Sequence, residues 1–486
     1  MKILKPIHSV TGTVIAVFFL MWFFTGLVLI YHPYPRLNDK QANHYREDIQ
    51  ADSLHDISYY TEHLVADTIK SIKLNQRISQ SLFKIETGDS TYNLCAADTT
   101  KKKKKVKFAN VEAIAAKWVK AKPAKVDTLH EREQWILYER YEKAMPIYKF
   151  TYNDAEHHEL FISGKTAEPQ QFTTRTQRVW AWLGAIPHKF YYPCIRKDLD
   201  VWKTFITTGG IICLLAALSG LIYGIKIQTR VWRKKRKMVN PYKKADYKWH
   251  HAIGLVFGIF IVGWGISGSL AMQKVPKWIV PYEKEYSMFA DDIWESDSLP
   301  LSSYKLDYRQ VIRELPNVKQ IEWRVIGGKP VYDVISDSNE VFVDASATEP
   351  QKLHVTPEAI ETAMHRIYGS NTQVSVNLMN EYDEYYMASY DTHPELPVYK
   401  VTIDNNDGST YYIGINNDYC RYFNTNKKAR KWLFGALHYL NINCITAHPV
   451  LWHICIWILC LAGMTVSFTG VLLGIKYIRR KLRRKK

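Results

Sequence analysis

Four histidines carry the chemistry this sequence offers. His8 and His250 open two apolar stretches, Ile7–Tyr31 and His250–Met272, which align without a gap: Gly12 falls on Gly254, Trp22 on Trp264, and Thr25-Gly26 on Ser267-Gly268. His188 and His438 form a second matched pair, in a segment whose two copies keep a constant offset of 250 residues from Trp182/Trp432 to Lys226/Lys476. Ionisable side chains at the ends or in the interior of membrane-crossing segments point to function. Two imidazoles at equal depth on facing helices are what six-coordinate haem b needs, one on each side of the iron. Small residues flank each candidate. Gly12 and Ala16 follow His8 at helical spacing, Gly254 and Gly258 follow His250, and Ala185 and Gly435 stand one turn before His188 and His438. Neutral imidazole is the ligating form, and an acceptor on its other ring nitrogen should fix the tautomer.

A plainer explanation exists for each residue singly. Small residues in membrane helices serve helix packing, and an interfacial histidine is often a polar anchor. The recurrence of both pairs through an internal repeat favours ligation. His453 is a reserve outer ligand, although Lys203 stands at its matching position, so the outer set stays open between His188/His438 and a pair using His453. His32 and His448 lie near the same face without a matching histidine. His55, His63, His157 and His158 fall in polar loops and read as solvated.

The elements that must position these residues follow from hydropathy. Four segments, about 8–31, 202–227, 250–272 and 450–478, approach the roughly 20 residues that cross a bilayer. The first is too long for a signal peptide and no A-x-A site follows it, so a retained transmembrane helix is expected. The net charge is +18. Nearly all of it lies in Lys2 and Lys5, in the loop 229–248 and in the tail 479–486, all on one side of a four-helix topology. Positive charge stays cytoplasmic, which places both termini inside and two nearly neutral loops, 33–176 and 273–431, outside. The basic balance is thus membrane topology rather than a nucleic-acid footprint.

The repeat divides the chain. Residues 1–32 hold the first transmembrane helix, 33–176 a first external domain, 177–228 an interfacial segment and the second helix, 229–248 the basic loop, and 249–272 the third helix. A second external domain, 273–431, is followed by an interfacial segment and fourth helix, 432–478, and the basic tail. Both copies enter the membrane from the same side, a parallel repeat. Each external domain reads as α+β. The first has strands in Ser81–Cys95 around a turn at Gly88-Asp89, a helix over Val111–Lys120, and strands Pro146–Tyr152 and Glu159–Ser163. The second has strands Val331–Ile335 and Glu340–Val343, helix Pro357–Tyr368, and strands Val398–Ile403 and Thr410–Ile415. Five lysines, Lys101–Lys105, read as a solvated loop, and the tyrosines Tyr138, Tyr141, Tyr382, Tyr385 and Tyr386 as packing or as a ligand-binding wall.

Other chemistries leave no trace. None of the seven cysteines forms C-x-x-C or C-x-x-C-H, which argues against covalent haem and zinc ribbons. The sequence has no G-x-G-x-x-G, Walker A, H-E-x-x-H or G-x-S-x-G motif, so no nicotinamide or flavin domain is encoded and electrons must come from a separate donor.

H-x-x-x-G opening a helix that closes on T-G or S-G, an external domain with an E-A-I helix and a following hairpin, and a helix ending G-x-x-x-G-I-K resemble the PepSY-associated transmembrane proteins. The resemblance covers nearly the whole chain. Its relatives include iron-regulated inner-membrane proteins and siderophore reductases that carry two haems. It implies two haems b on His8, His250, His188 and His438, a bacterial inner membrane, and reduction of an extracytoplasmic ferric chelate of siderophore type by an electron donor unknown from the sequence. The family often has L-H-x-G near its second helix, where this chain reads Pro187-His188-Lys189-Phe190 and Leu437-His438-Tyr439-Leu440. PepSY modules also occur as regulators of peptidases, so a non-enzymatic binding protein is the alternative. A transporter is the third reading, disfavoured by four helices without membrane Asp or Glu.

Overall fold

A computed structural model describes residues 3–483 except 63, 65–67, 97–104, 284–292, 338 and 389–391. His63 and most of the lysine run 101–105 therefore lie outside the described residues.

Four helices are long and apolar enough to cross a membrane: Leu4–Tyr31, Leu199–Lys235, Ala245–Leu270 and Pro449–Arg483. In chain order these are the first to fourth membrane helices. A helix is the natural form for such segments because it satisfies every backbone polar group internally. Asp198 caps the second helix by accepting from the N–H groups of Asp200 and Val201, and Pro449 begins the fourth. The second and fourth run 37 and 35 residues. They outreach an apolar layer of about 30 Å and carry Arg233, Lys234, Lys235, Arg480, Lys481 and Arg483 in their last turns.

The first helix packs on the second and fourth, and the third packs on the same two. Glycines allow the closest approaches. A Cβ on Gly210 would lie 2.6 Å from the backbone nitrogen of Ser269, and one on Gly265 would lie 2.8 Å from Leu214 Cα, so the second and third helices meet backbone to backbone.

The remainder is three antiparallel sheets. Strands β4 (Pro123–Leu129), β5 (Ile147–Tyr152), β6 (Glu159–Ser163) and β7 (Pro169–Thr173) form one meander. Helix Phe108–Trp118 covers it by burying Val111, Ala115 and Trp118 against Phe150, Leu160 and Ile162. Strands β11 (Val374–Met379), β12 (Val398–Ile403), β13 (Thr410–Gly414) and β14 (Cys420–Phe423) form a second, in which helix Pro357–Tyr368 packs Ile360 and Met364 against Val401, Tyr411 and Ile413.

The third sheet joins what the sequence separates into two domains. Its order is β10-β9-β8-β1-β2-β3, where β1 is Ile69–Gln76, β2 Ser81–Thr87, β3 Thr91–Cys95, β8 Gln320–Ile326, β9 Lys329–Ile335 and β10 Glu340–Asp344. The β1–β8 pair, with Ile72 opposite Trp323, stitches the strands of 33–176 to those of 273–431. One core, including Phe83, Tyr308, Trp323 and Tyr332, lies behind it. The external halves are therefore not two separable units. The seam was hidden because β1 and β8 are distant in sequence, and the register of β1 shifts between Ile69 and Ser71, which spoils its alternation.

Candidate functional site: two facing histidine pairs

The inner pair sits between all four helices, in a cavity of about 550 Å³ lined by His8, Gly12, Ala16, Gly220, His250, Gly254, Gly258 and Gly470 among others. The rings of His8 and His250 face each other with centroids 6.1 Å apart. Each is held by the neighbouring helix. Nδ1 of His8 lies 3.1 Å from the carbonyl oxygen of Ala216, and Nδ1 of His250 lies 3.1 Å from that of Val466 and 3.1 Å from Thr469 Oγ1. A carbonyl only accepts, so Nδ1 carries the proton in both rings and Nε2 keeps its lone pair. Gly220 makes the first contact possible: a Cβ there would stand 2.5 Å from His8 Cε1. The mouth at the basic end is lined by Lys5, Tyr247, Tyr477, Arg480 and Lys481, and no Asp or Glu is among the lining residues.

The outer pair is built on short helices outside the four long ones. His188 lies in Ala185–Lys189 and His438 in Leu437–Tyr439. Each short helix stops at a left-handed residue, Phe190 (φ 50°) and Leu440 (φ 53°), which turns the chain back before the next membrane helix. The ring centroids are again 6.1 Å apart. Nδ1 of His188 lies 3.2 Å from the carbonyl of Trp22 and 3.2 Å from Thr25 Oγ1, and Nδ1 of His438 lies 3.0 Å from Ser267 Oγ. Ser267 donates to the carbonyl of Trp264 at 3.3 Å, which leaves its oxygen to accept from His438. The backbone is tied as well: Trp22 Nε1 donates to the carbonyl of His188 at 3.0 Å, and Trp264 Nε1 to that of His438 at 2.7 Å. Trp202 and Trp452 donate likewise to the next carbonyls, Lys189 and Tyr439.

All four imidazoles thus share one tautomer, with Nδ1–H engaged and no protein hydrogen bond on Nε2 among the described residues. That is the state in which a histidine can offer Nε2 to a metal. From His8 to the Trp22–Thr25 turn that holds His188 is 14–17 residues of continuous helix, about 21–26 Å at 1.5 Å per residue. Between the two levels Phe19 stacks on Phe23 at 5.8 Å, and Phe23 meets Trp264 edge-on at 4.9 Å.

His453 is placed elsewhere. Its Nδ1 lies 3.0 Å from the hydroxyl of Tyr31, which also accepts from Trp457. His32 stacks on Trp180 and His448 is exposed. His55 is exposed, whereas His158, expected in solvent, is half-buried and paired with Asp154 at 2.5 Å. Thr25, Ser267, Thr469 and the two tryptophan pairs support the histidine segments through these hydrogen bonds, and the sequence reading left them without a role. Their recurrence in the two-half alignment was the available signal.

A multi-pass membrane protein with antiparallel α+β domains and paired histidines at two levels is the class this geometry defines. The chain belongs to the family described as the PepSY-associated TM region, whose model matches residues 5–480. A comparison with curated proteins gave no match.

Proposed function

We propose that the chain is a transmembrane electron-transfer protein of the bacterial inner membrane, built as two parallel repeats and holding two b-type haems. His8 and His250 ligate the inner one and His188 and His438 the outer. The observation that carries this reading is the matched ring separation in a common tautomer. Two metal–imidazole bonds of about 2.0 Å plus about 1.1 Å from nitrogen to ring centre on each side give about 6.2 Å, against 6.1 Å at both levels. Glycine and alanine beside the inner pair leave room for a flat macrocycle, and Lys5, Arg480 and Lys481 at the mouth suit its carboxylates.

Bound haem supplies reversible one-electron chemistry at potentials that axial ligation and burial set. The chain's own part is to hold the imidazoles, keep Nδ1 protonated and exclude water. Phe19, Phe23 and Trp264 fill the space between the levels. The basic end faces the cytoplasm, so electrons from a cytoplasmic or membrane donor leave on the side of the sheets. The resemblance to siderophore reductases makes a ferric chelate the acceptor class. One electron converts Fe(III) to Fe(II), which hard oxygen chelators hold less tightly.

The test is an optical spectrum of the detergent-purified protein, oxidised and dithionite-reduced, with a pyridine haemochrome count. Two haems b per chain support the reading, and one removes a site. A folded preparation from haem-replete cells that is colourless hands the protein to the binding-module reading.

A further inference from the structure

Away from the membrane, the six-stranded sheet gathers charge on one face. Glu322 on β8 stands directly opposite Asp333 on β9, and Glu340 on β10 stands opposite Ile335, one same-face position along from Asp333. Two backbone bonds hold the β13–β14 turn at the outer edge of β10: Phe342 N–H donates to the Asn416 carbonyl at 3.3 Å, and Val355 N–H, in the segment beyond β10, to that of Ile415 at 2.8 Å. The turn brings in Asp418. One carboxylate oxygen from each of Asp333, Glu340 and Asp418 lies within 4.8 Å of the other two.

The positive charge facing this group falls short. Arg324 Nε donates to Asp333 Oδ2 at 3.0 Å, and its Nη2 lies 3.4 Å from Glu322 and 3.9 Å from Asp418. Lys73 on β1 pairs with Glu322 at 2.7 Å. Among the described residues, these two cations face four carboxylates. A separate observation points to a missing partner. Asp333 is only 2% exposed, and its Oδ1 is buried without a hydrogen bond from any of the described residues. Arg324 occupies Oδ2, which leaves Oδ1 with its lone pairs open to a further cation. A carboxylate oxygen buried without a donor is costly to leave unsatisfied.

We propose that Asp333, Glu340 and Asp418 bind one divalent cation of the hard, oxygen-seeking class, Ca²⁺, which fastens the β13–β14 turn to the six-stranded sheet. Carboxylate oxygens on an irregular turn suit Ca²⁺, which accepts flexible geometry. Burial, helped by the neighbouring carboxylates, pushes the Asp333 and Glu340 carboxyls up, as expected where a countercharge is wanting. The site is independent of the histidine pairs and of any haem.

The experiment is calorimetric titration of CaCl₂ into the chelator-treated full-length protein in detergent, with a thermal melt in parallel. The expected result is one saturable site per chain in the range typical of extracellular modules, and a melting temperature that Ca²⁺ raises. Asp418→Asn and Glu340→Gln should weaken binding by about tenfold or more and abolish the Ca²⁺ shift, while elution and far-UV circular dichroism stay unchanged. Asp418 lies on a half-exposed turn, so its variant tests binding even where Asp333→Asn fails to fold. No saturable binding to the folded wild type at millimolar Ca²⁺ overturns the proposal and leaves a shared proton as the countercharge. So does undiminished binding by both variants.

Discussion

The hydroxyl oxygen of Ser267 lies 3.0 Å from Nδ1 of His438, and it is the one acceptor this ring nitrogen has among the described residues. His188 differs, because the carbonyl of Trp22 backs up Thr25. Removing the hydroxyl should therefore matter more on one side. Outer-shell partners of ligating histidines are typically worth 10–100-fold in affinity or activity. If the outer pair holds haem as proposed, Ser267→Ala should weaken haem retention at that level within that range, and Thr25→Val by less. Haem content after extended gel filtration, with the midpoint potential of the retained haem, reads the difference. Equal losses would contradict the stated hydrogen-bond roles.

The inner level predicts an asymmetry between two corresponding glycines. A Cβ on Gly220 would meet His8 Cε1 at 2.5 Å, whereas one on Gly470 would meet its nearest neighbours, Ala16 Cβ and His250 Cε1, at 3.5 Å, an ordinary contact. Gly220→Ala must push the His8 ring off the Ala216 carbonyl and should lose the inner haem. Gly470→Ala should keep it. A haemochrome count of one for the first variant and two for the second is the expected outcome. The reverse ranking would sink the placement of His8.

On the two-haem proposal, histidine replacements separate ligands from bystanders. His250→Ala should insert and fold yet retain only the outer haem, because His8 alone leaves one axial position unfilled. His453→Ala should keep both haems, since its ring is engaged with Tyr31. Low-temperature spectra of the two variants check this, and loss of haem from the His453 variant would reopen the outer ligand set.

How much of this was legible depends on the range of each interaction. The membrane helices announce themselves through some twenty successive apolar residues, and helix Pro357–Tyr368 and strand Val398–Ile403 fall where periodicity put them. Strand β4 escaped notice because it is largely exposed, and β11 because its alternation, Val374 and Val376 against Ser375 and Asn377, lasts only four residues before Leu378 breaks it. Strand β8 did alternate, Ile321 and Trp323 against Glu322 and Arg324, but its partner β1 lies some 250 residues away and no local signal names it. The histidine pairs were visible because side chains repeat between the halves. The acceptors of His8 and His250 were not, because a helix carbonyl such as that of Ala216 leaves no mark in sequence. Thr25-Gly26 and Ser267-Gly268 stood aligned from the start, but their role needs the knowledge that His188 and His438 fold back onto those turns.

A final prediction concerns acid stability in the second meander. Asp383 accepts from Lys400 Nζ at 2.6 Å, from the Tyr412 hydroxyl at 2.8 Å, and from the N–H groups of Tyr385 and Tyr386. Burial alone would raise its carboxyl, but these donors outweigh burial and hold it below the usual carboxylate range. A carboxyl depressed in the folded state stabilises the protein above its unfolded value, near 3.9. That stability is lost as pH falls through the lower, folded value. The wild type should therefore lose melting temperature steeply in this acid window. Asp383→Ala should be less stable at neutral pH by about 2 kcal/mol, the scale of a charge-assisted bond left unmade, and should show a shallower acid decline. Melts across the acid range compare the two, and parallel curves would show that Asp383 is not the group responsible.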